Sequence, residues 1–305
     1  MNEERFELTN ETKIAKDGIT KLFRLKCRVS FEHKVLGLIK KGTVGGWVES
    51  LNLKNGDARV SGNAWVSDDA EVYGDAMVSG DARVFGDAWV SGDARVFGDA
   101  EVSGNARVFG DAEVSGNAWV FDNAWVYGNA RVFGDAMVSD DAEVYGYAEV
   151  YGDARVSGDA MVSDDAEVSG DAMVYGNAEV SGNARVSDDA MVYGNAEVSG
   201  NAEVSGDAMV YGNARVFGDA EVSGNARVSD DAEVSGDAMV YGNAMVYGNA
   251  EVSGDAWVSG NAWVSDDAEV SGRFDLSVNI DFELKRITID TKEKLSKLKK
   301  FLDEF

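Results

Sequence analysis

The chain of 305 residues is poor in the side chains that most catalytic and covalent chemistry needs, with one cysteine and one histidine. A single cysteine, Cys27, excludes an internal disulfide and favours a reducing compartment. No stretch reaches the roughly 18 apolar residues of a membrane span, and the start MNEERFELTN lacks an apolar segment behind a basic one. We therefore expect a cytoplasmic protein without a signal peptide or a membrane anchor.

Positive charge is also scarce, since the net charge is −27 at pH 7. So acidic a surface opposes direct binding to nucleic acid or anionic lipid, and it favours solubility or a basic protein partner. The charge is uneven: residues 56–271 hold 9 arginines, no lysine and 41 acidic residues, whereas both flanks carry a slight excess of Lys and Arg.

What the sequence has in abundance is one six-residue repeat. Residues 56–271 are 36 copies without insertion or deletion, a regularity that indicates a solenoid. Each copy reads Gly or Asp, Asp or Asn, Ala, a variable residue, Val, and finally Ser, Phe or Tyr. In a strand, Ala and Val point to one side and the variable residue to the other, so Ala and Val are predicted to face inward.

The repeat excludes a helix, because a period of six with Val and Gly in every copy does not fit 3.6 residues per turn. Gly, Asn and Asp tolerate positive φ, so the first two positions of each copy are predicted to turn a corner. Very short parallel strands joined by such corners form a β-helix, in which each coil hydrogen-bonds to the next. These arguments leave the hand and the cross-section open.

An aliphatic residue followed four places on by a small one, as in Val60 to Ala64 and Val66 to Ala70, resembles the hexapeptide repeat of left-handed parallel β-helices. The resemblance implies a triangular, left-handed coil built from three hexads. The 36 copies then predict an all-β solenoid of 12 coils. At a spacing of about 4.8 Å per coil this rod would be about 58 Å long.

The sequences on both sides of the repeat depart from its pattern, so the chain is predicted to have three parts. These are a capping segment at residues 1–55, the β-helix at 56–271, and a strand with an amphipathic helix at 272–305. Residues 21–29 alternate as an edge strand would. Asp290 or Thr291 is the predicted N-cap of the helix. This helix either folds over the last coil or mediates self-association through one apolar stripe, made of Leu295, Leu298, Leu302 and Phe305.

The N-terminal segment carries a second resemblance. Residues 6–13, 22–26 and 40–49, the last with the signature Gly-Gly-Trp-Val-Glu, are similar to the opening of phage and prophage proteins often labelled polymer-forming or hypothetical. The resemblance implies a phage-related protein, either virion-associated or in the host cytoplasm. It implies no activity.

Enzymes with hexapeptide β-helices are best known as acyltransferases, which use a histidine on a coil and a loop that leaves the prism. Here the one histidine, His33, precedes the repeat and no loop interrupts a coil, so we expect no enzyme activity and no cofactor. The single histidine also excludes the three-histidine zinc site of related carbonic anhydrases. An antifreeze role is excluded because the repeat has no threonine. One Asp recurs in every third hexad and forms a predicted ladder: Asp135, Asp153, Asp171, Asp189 and Asp207. Such a ladder could bind calcium, but a structural role at the corners is favoured.

If one coil contains three hexads, the variable residues sort onto three faces. On the first, the apolar face, 8 of 12 variable residues are Trp or Met: Trp65, Arg83, Glu101, Trp119, Met137, Arg155, Met173, Met191, Met209, Arg227, Met245 and Trp263. Neighbouring aromatic residues on this face are Phe85, Phe121, Tyr175, Tyr193, Tyr211 and Tyr247. Exposed apolar patches usually mark contact sites, although stacked Met and Tyr could merely stabilise the sheet. We predict partner binding through Trp65, Trp119, Met137, Met173, Tyr175, Met191, Tyr193, Met209, Tyr211, Met245, Tyr247 and Trp263.

The other faces are charged. Seven of the 12 variable residues on the second, the glutamate face, are Glu: Glu71, Trp89, Arg107, Trp125, Glu143, Met161, Glu179, Glu197, Arg215, Glu233, Glu251 and Glu269. The third, the mixed face, combines Arg59, Arg95, Arg131 and Arg185 with Glu113, Glu149, Glu167, Glu203 and Glu221. Attractive pairs are predicted between Arg131 and Glu149 and between Glu167 and Arg185.

Two functions fit these features. In the first, the acidic rod is a scaffold or spacer that uses its apolar face or its caps to self-associate or to bind a protein partner. In the second, it is an anti-defence DNA mimic that occupies the basic groove of a host DNA-binding protein. A coil spacing of about 4.8 Å does not match the phosphate spacing of about 3.4 Å along each DNA strand, which favours the first.

Overall fold

The computed structural model describes residues 6–14, 18–19, 21–33, 37–48, 59–60, 64–66, 68–272, 274–276 and 287–288. Every regular element among them is a β-strand. The predicted all-β parallel β-solenoid is confirmed, with about 11 coils where 12 were expected. The chain divides into two compact units, Met1–Asp159 and Ala160–Phe305. The boundaries after residues 55 and 271, and the left hand, stay predictions.

Within each unit the strands of the hexads pair in parallel, each with the strand three hexads further along the chain. Trp65 lies opposite Arg83 and Val66 opposite Val84, for example. Each hexad donates up to three backbone hydrogen bonds to the next coil, from its second, fourth and sixth residues, as at Asp81, Arg83 and Phe85, with N···O distances of 2.8, 2.9 and 3.0 Å. Three hexads therefore complete one coil, as predicted.

The core of both units is built from the Ala and Val of the hexads. Ala172 and Val174 are fully buried, and so are nearly all their equivalents in the described coils. The variable residue between them points outward, as the two-residue alternation of a strand requires. The interior is therefore uniform, and the differences between coils lie on the surface.

The corners depend on a backbone conformation with positive φ at the first residue of each hexad. Gly182 has φ 70°, and a Cβ there would lie 2.8 Å from the carbonyl oxygen of Gly200 in the next coil. Seven hexads place Asp at this position, with φ between 57° and 60°: Asp68, Asp122, Asp140, Asp164, Asp188, Asp230 and Asp266. The carboxylate then compensates: Oδ2 of Asp164 accepts a hydrogen bond of 3.1 Å from the backbone N–H of Gly182.

The first unit begins with five strands that precede the repeat: β1 (Phe6–Ile14), β2 (Lys21–Cys27), β3 (Phe31–His33), β4 (Gly37–Ile39) and β5 (Val44–Val48). Its apolar-face strands are Trp65–Val66, Arg83–Val84, Glu101–Val102, Trp119–Val120, Met137–Val138 and Arg155–Val156. Its glutamate-face strands are Glu71–Val72, Trp89–Val90, Arg107–Val108, Trp125–Val126 and Glu143–Val144. Its mixed-face strands are Arg59–Val60, Met77–Val78, Arg95–Val96, Glu113–Val114, Arg131–Val132 and Glu149–Val150.

The second unit repeats the three-sided arrangement. Its apolar-face strands are Met173–Gly176, Met191–Gly194, Met209–Gly212, Arg227–Val228, Met245–Val246 and Trp263–Val264. Its glutamate-face strands are Met161–Val162, Glu179–Val180, Glu197–Val198, Arg215–Val216, Glu233–Val234, Glu251–Ser253, Glu269–Ser271 and Ile287–Thr288. Its mixed-face strands are Glu167–Val168, Arg185–Val186, Glu203–Val204, Glu221–Val222, Met239–Val240, Ala256–Val258 and Phe274–Leu276.

The N-terminal strands extend the glutamate face of the first unit. β1 pairs with β2 and β2 with β5, both antiparallel, while β5 pairs in parallel with Glu71–Val72. The predicted edge strand is thus an inner strand, because β1 covers it. A Cβ on Gly45 would lie 2.7 Å from the carbonyl oxygen of Val66, and a Cβ on Gly46 would lie 2.5 Å from Cγ1 of the same residue. These close approaches explain the two glycines of the Gly-Gly-Trp-Val-Glu signature.

At the other end, two strands outside the repeat continue the parallel pairing. Phe274–Leu276 pairs with Ala256–Val258, and Ile287–Thr288 pairs with Glu269–Ser271. The predicted helix and its stripe of Leu295, Leu298, Leu302 and Phe305 lie outside the described residues.

Corner geometry predicts that Gly182→Ala destabilises the protein more than Gly182→Asp does. Alanine adds a Cβ at positive φ, a conformation that costs an L-residue about 1–2 kcal/mol, and has no side chain to compensate. Asp keeps the αL preference and supplies an acceptor, as at Asp164. The midpoint of thermal unfolding should fall in the order wild type, Gly182→Asp, Gly182→Ala. Equal midpoints for the two variants would contradict this account.

Candidate interaction surfaces

The apolar face of the second unit carries three identical rungs on successive coils. Met173, Met191 and Met209 lie opposite one another in register, and Tyr175, Tyr193 and Tyr211 do the same. We call these six residues the Met/Tyr strip. Because Tyr and the following Gly also pair, the strands lengthen here to four residues, such as Met173–Gly176. The predicted stacking is therefore present, whereas the role of the strip in partner binding stays a prediction.

The tyrosine rings of the strip form a continuous stack. The ring centroids of Tyr175 and Tyr193 are 4.9 Å apart at an interplanar angle of 0°, and those of Tyr193 and Tyr211 are 5.0 Å apart at 4°. Burial, and then the neighbouring tyrosines, raise the pKa of Tyr193 above its usual value. The strip is thus half-buried, and its three rings form one stack.

Two different rims border the Met/Tyr strip. Along one side, two residues before each Met, stand the exposed carboxylates of Asp171, Asp189 and Asp207. Along the other side runs an amide ladder, in which each side-chain N–H of Asn donates to the equivalent residue of the next coil. It comprises Asn177, Asn195, Asn213 and a final Asp231, at 3.0, 3.0 and 2.9 Å. Beside the three rungs of the strip, one rim therefore carries carboxylates and the other carries the neutral amides of Asn177, Asn195 and Asn213.

Elsewhere in the second unit the apolar face is interrupted. Arg227 follows Met209 in register, and Met245 and Trp263 follow Arg227. Tyr247 is half-buried and Trp263 is 45% exposed. These predicted contact residues lie on the expected face, but Arg227 separates them from the strip.

In the first unit this face exposes less apolar surface than predicted. Trp65 is only 7% exposed and packs on Phe6 of β1, with ring centroids 6.0 Å apart, so its prediction as a contact residue is wrong. Arg83 and Glu101 form an ion pair on the next two rungs. Trp119, 47% exposed, lies opposite Met137 and remains accessible. The cap thus covers the first predicted contact residue, because Phe6 packs on its ring.

An aromatic cluster on the glutamate face of the first unit was missed from sequence. The Arg107 guanidinium lies between Trp89 and Trp125, 5.0 and 4.7 Å from the ring centroids. Beside it, Phe109 stacks on Tyr127 at 4.9 Å, and Tyr127 stacks on Tyr145 at 5.0 Å. The signal was the recurrence of aromatic residues at the sixth position of successive coils, which the count of glutamates hid. Cation–π contacts of this kind are stabilising.

Tyr127 also joins this cluster to a carboxylate. Its hydroxyl donates a hydrogen bond of 2.9 Å to Oε2 of Glu143. Three effects raise the pKa of Tyr127 above its usual value. Burial is the largest, and this hydrogen bond and the nearby negative charge follow. The phenol therefore keeps its proton well into the alkaline range.

Glu71, predicted to be exposed, is 3% exposed and anchors the cap. Its Oε1 lies 3.0 Å from Nζ of Lys13 on β1, and its Oε2 accepts a 3.0 Å hydrogen bond from Nε1 of Trp89. Trp47 of β5 lies nearby, with Lys13 and Arg24 at 4.9 and 5.0 Å from its ring centroid. A buried carboxylate needs such partners, so these contacts hold β1 and β5 to the solenoid.

The charged ladders contain some of the predicted pairs. Arg131 contacts Glu149 at 3.0 Å, as predicted. Glu167 lies opposite Arg185 in register. Arg215 bridges Glu197 and Glu233 at 3.2 and 3.0 Å, and these carboxylates raise the pKa of its guanidinium. Exposed pairs of this kind contribute little stability.

Among the described residues, no three His, Cys, Asp or Glu side chains form a group that could hold a metal ion. The aspartates weighed for calcium are divided between the units: Asp135 and Asp153 in the first, and Asp171, Asp189 and Asp207 in the second. No helix in the described part of the chain is long and apolar enough to cross a membrane.

These features define a hexapeptide-repeat β-solenoid protein. A protein-family model described as the YdcK beta solenoid repeat matches residues 78–92, 124–140, 178–194, 184–200, 232–248 and 238–254. The matched stretches lie within the repeat and support a repeat β-helix protein. No curated protein matches the chain.

The raised pKa of Tyr127 predicts a pH effect. A phenol whose pKa is higher in the folded state contributes stability below its unfolded pKa, near 10, and this contribution is lost as the pH rises toward the folded value. Tyr127→Phe should therefore flatten the alkaline decline of the unfolding midpoint above about pH 10. Tyr211→Phe, which leaves the bond from Tyr127 to Glu143 intact, is the control. Identical alkaline profiles for the wild type and Tyr127→Phe would refute the assignment.

Proposed function

We propose that the protein is a non-enzymatic acidic scaffold that self-associates or binds a protein partner through the Met/Tyr strip. The observation that carries this proposal is the unbroken register of Met173, Met191 and Met209 beside the tyrosine stack. No other face repeats one apolar pair over three successive coils. We also propose a phage or prophage origin, supported by the resemblance of residues 40–49.

The chemistry of the strip suits contact with another protein. Methionine is flexible and polarizable, so it adapts to different surfaces, and tyrosine offers a large area with few rotatable bonds. Both are half-buried here and lie on a sheet whose backbone is held by inter-coil hydrogen bonds. Docking would therefore immobilise few new degrees of freedom, which favours affinity.

A non-enzymatic role is supported by the sequence rather than by any geometry. The single histidine, His33, belongs to β3 outside the repeat. The 36 hexads leave no room for a loop that could close over a substrate.

DNA mimicry is the alternative, favoured by the net charge of −27. The structure offers a length scale against which to weigh it, because stacked rings on successive coils lie 4.9–5.0 Å apart. Phosphates recur about every 3.4 Å along a DNA strand, so carboxylates on successive coils would fall out of step with them. This mismatch favours the scaffold.

Changing the three strip methionines to aspartate, Met173→Asp, Met191→Asp and Met209→Asp together, should abolish self-association or partner capture. Three buried charges at a contact would each have to be desolvated without a partner. The matched control changes three Met residues outside the strip, Met77→Asp and Met239→Asp on the mixed face and Met161→Asp on the glutamate face, which adds the same charge. Sedimentation velocity and pull-down are the readouts. Loss in both triple variants, or in neither, would contradict the role of the strip.

The salt dependence of binding distinguishes the two proposed functions. Contact through the Met/Tyr strip should change by less than about tenfold in affinity between 50 and 200 mM salt, whereas occupation of a DNA groove should weaken by roughly a thousandfold or more. The measurement is a titration of the captured partner, or of self-association, at both salt concentrations. A steep decline would favour mimicry.

A further inference from the structure

We propose that the Met/Tyr strip receives the C-terminal segment, residues 292–305, of a second copy of this chain. The inference rests on the proposed function and names the occupant of its surface. It is drawn from the spacing of the strip, the charge of its rim and the length of chain that follows the last described strand.

The spacing of the two elements agrees. The tyrosine rings advance by 4.9 and then 5.0 Å along the strip. In the helix predicted for residues 292–305, a rise of about 1.5 Å per residue separates Leu295 from Leu298 by about 4.5 Å and from Leu302 by about 10.5 Å. Three leucines therefore meet three successive rungs when the helix lies along the strip. Helices commonly use such i, i+3, i+7 anchors in apolar grooves.

The charges also agree. The segment holds five lysines: Lys292, Lys294, Lys297, Lys299 and Lys300. Lys292 and Lys299 flank the leucine stripe on one side, about 10.5 Å apart along the axis, which matches two steps of the ladder from Asp171 to Asp207. Within the described residues Asp171, Asp189 and Asp207 have no salt-bridge partner. Basic side chains placed along this rim would relieve the repulsion between the three carboxylates.

The charge of the aspartate rim also favours binding at the Met/Tyr strip over binding at the rungs nearer the C-terminus. Beside Arg227, Met245 and Trp263 the equivalent corner residues are Asn225, Asn243 and Asn261, which carry no charge. Arg227 itself would repel the lysines. Charge complementarity therefore favours the Met/Tyr strip.

The distance that the C-terminal segment can span indicates that the occupant comes from a second copy of the chain. Thr288 pairs with Ser271, one coil beyond the coil of Trp263, and Trp263 is three register steps beyond Met209. Four steps of about 4.8 Å separate Thr288 from the nearest rung of the strip, about 19 Å. Three extended residues followed by the first helical turn bring Leu295 no further than about 16 Å. Leu295 therefore falls short of the strip of its own chain, so the three leucines cannot occupy its three rungs together.

The experiment uses the full chain in sedimentation velocity. Lys292→Glu with Lys299→Glu should weaken self-association by about tenfold or more, since two attractive contacts become repulsive. The matched control, Lys297→Glu with Lys300→Glu, makes the same change of charge on other sides of the predicted helix and should associate like the wild type. Adding Asp171→Lys and Asp207→Lys to the first pair restores the attraction and should restore association.

Cross-linking identifies the contact. A carbodiimide that joins lysine directly to carboxylate is applied to a mixture of isotopically light and heavy chains. Cross-links between light and heavy chains that join Lys292 or Lys299 to Asp171, Asp189 or Asp207 support the proposal. Cross-links confined within one chain, or a wild-type monomer, overturn it. If the methionine variant dissociates but the lysine variant does not, the proposed function stands and this occupant is wrong.

Discussion

The hydrogen-bonded register of three hexads between successive coils is the constraint on which the described fold depends. It brings the second, fourth and sixth residues of one hexad to the carbonyl groups of the next coil, as at Asp81, Arg83 and Phe85. A shift by one residue would turn Ala and Val outward, so the register and the buried core reinforce each other. The corners hold the hexad at its constant length, because their positive φ and their close stacking leave little room for a side chain.

Register also determines the kind of surface that this chain can build. A residue type at one outward position becomes a ladder when it recurs three hexads later, so the surface is organised in columns. Columns of asparagine become amide ladders, and columns of Phe and Tyr become ring stacks. A column of aspartate instead accumulates like charge. The surface chemistry of this solenoid is therefore a property of columns.

Much of this was predictable because the repeat is strictly periodic. The inward Ala and Val follow from counting. The stacking of Met173 on Met191 follows once the coil contains three hexads, which the resemblance to left-handed β-helices implies. The burial of Trp65 and of Glu71 does not, since both depend on the aperiodic cap: Phe6 covers Trp65, and Lys13 of β1 pairs with Glu71. The aromatic cluster around Arg107 could also have been predicted from the sequence, but only by considering the fourth and sixth positions of each hexad together.

By itself the sequence determined the period and the inward Ala and Val. It could do so because every hexad meets the same local geometry, so alternation and φ preference suffice. The sorting of side chains onto three faces needed in addition the coil of three hexads that the resemblance to left-handed β-helices implies. Only the tertiary structure decided which members of a face are accessible and which side chains pair. Accessibility depends on residues that precede the repeat in the chain, as the contact of Phe6 with Trp65 shows. Pairing depends on distances of a few ångströms between side chains, which a repeating pattern does not specify.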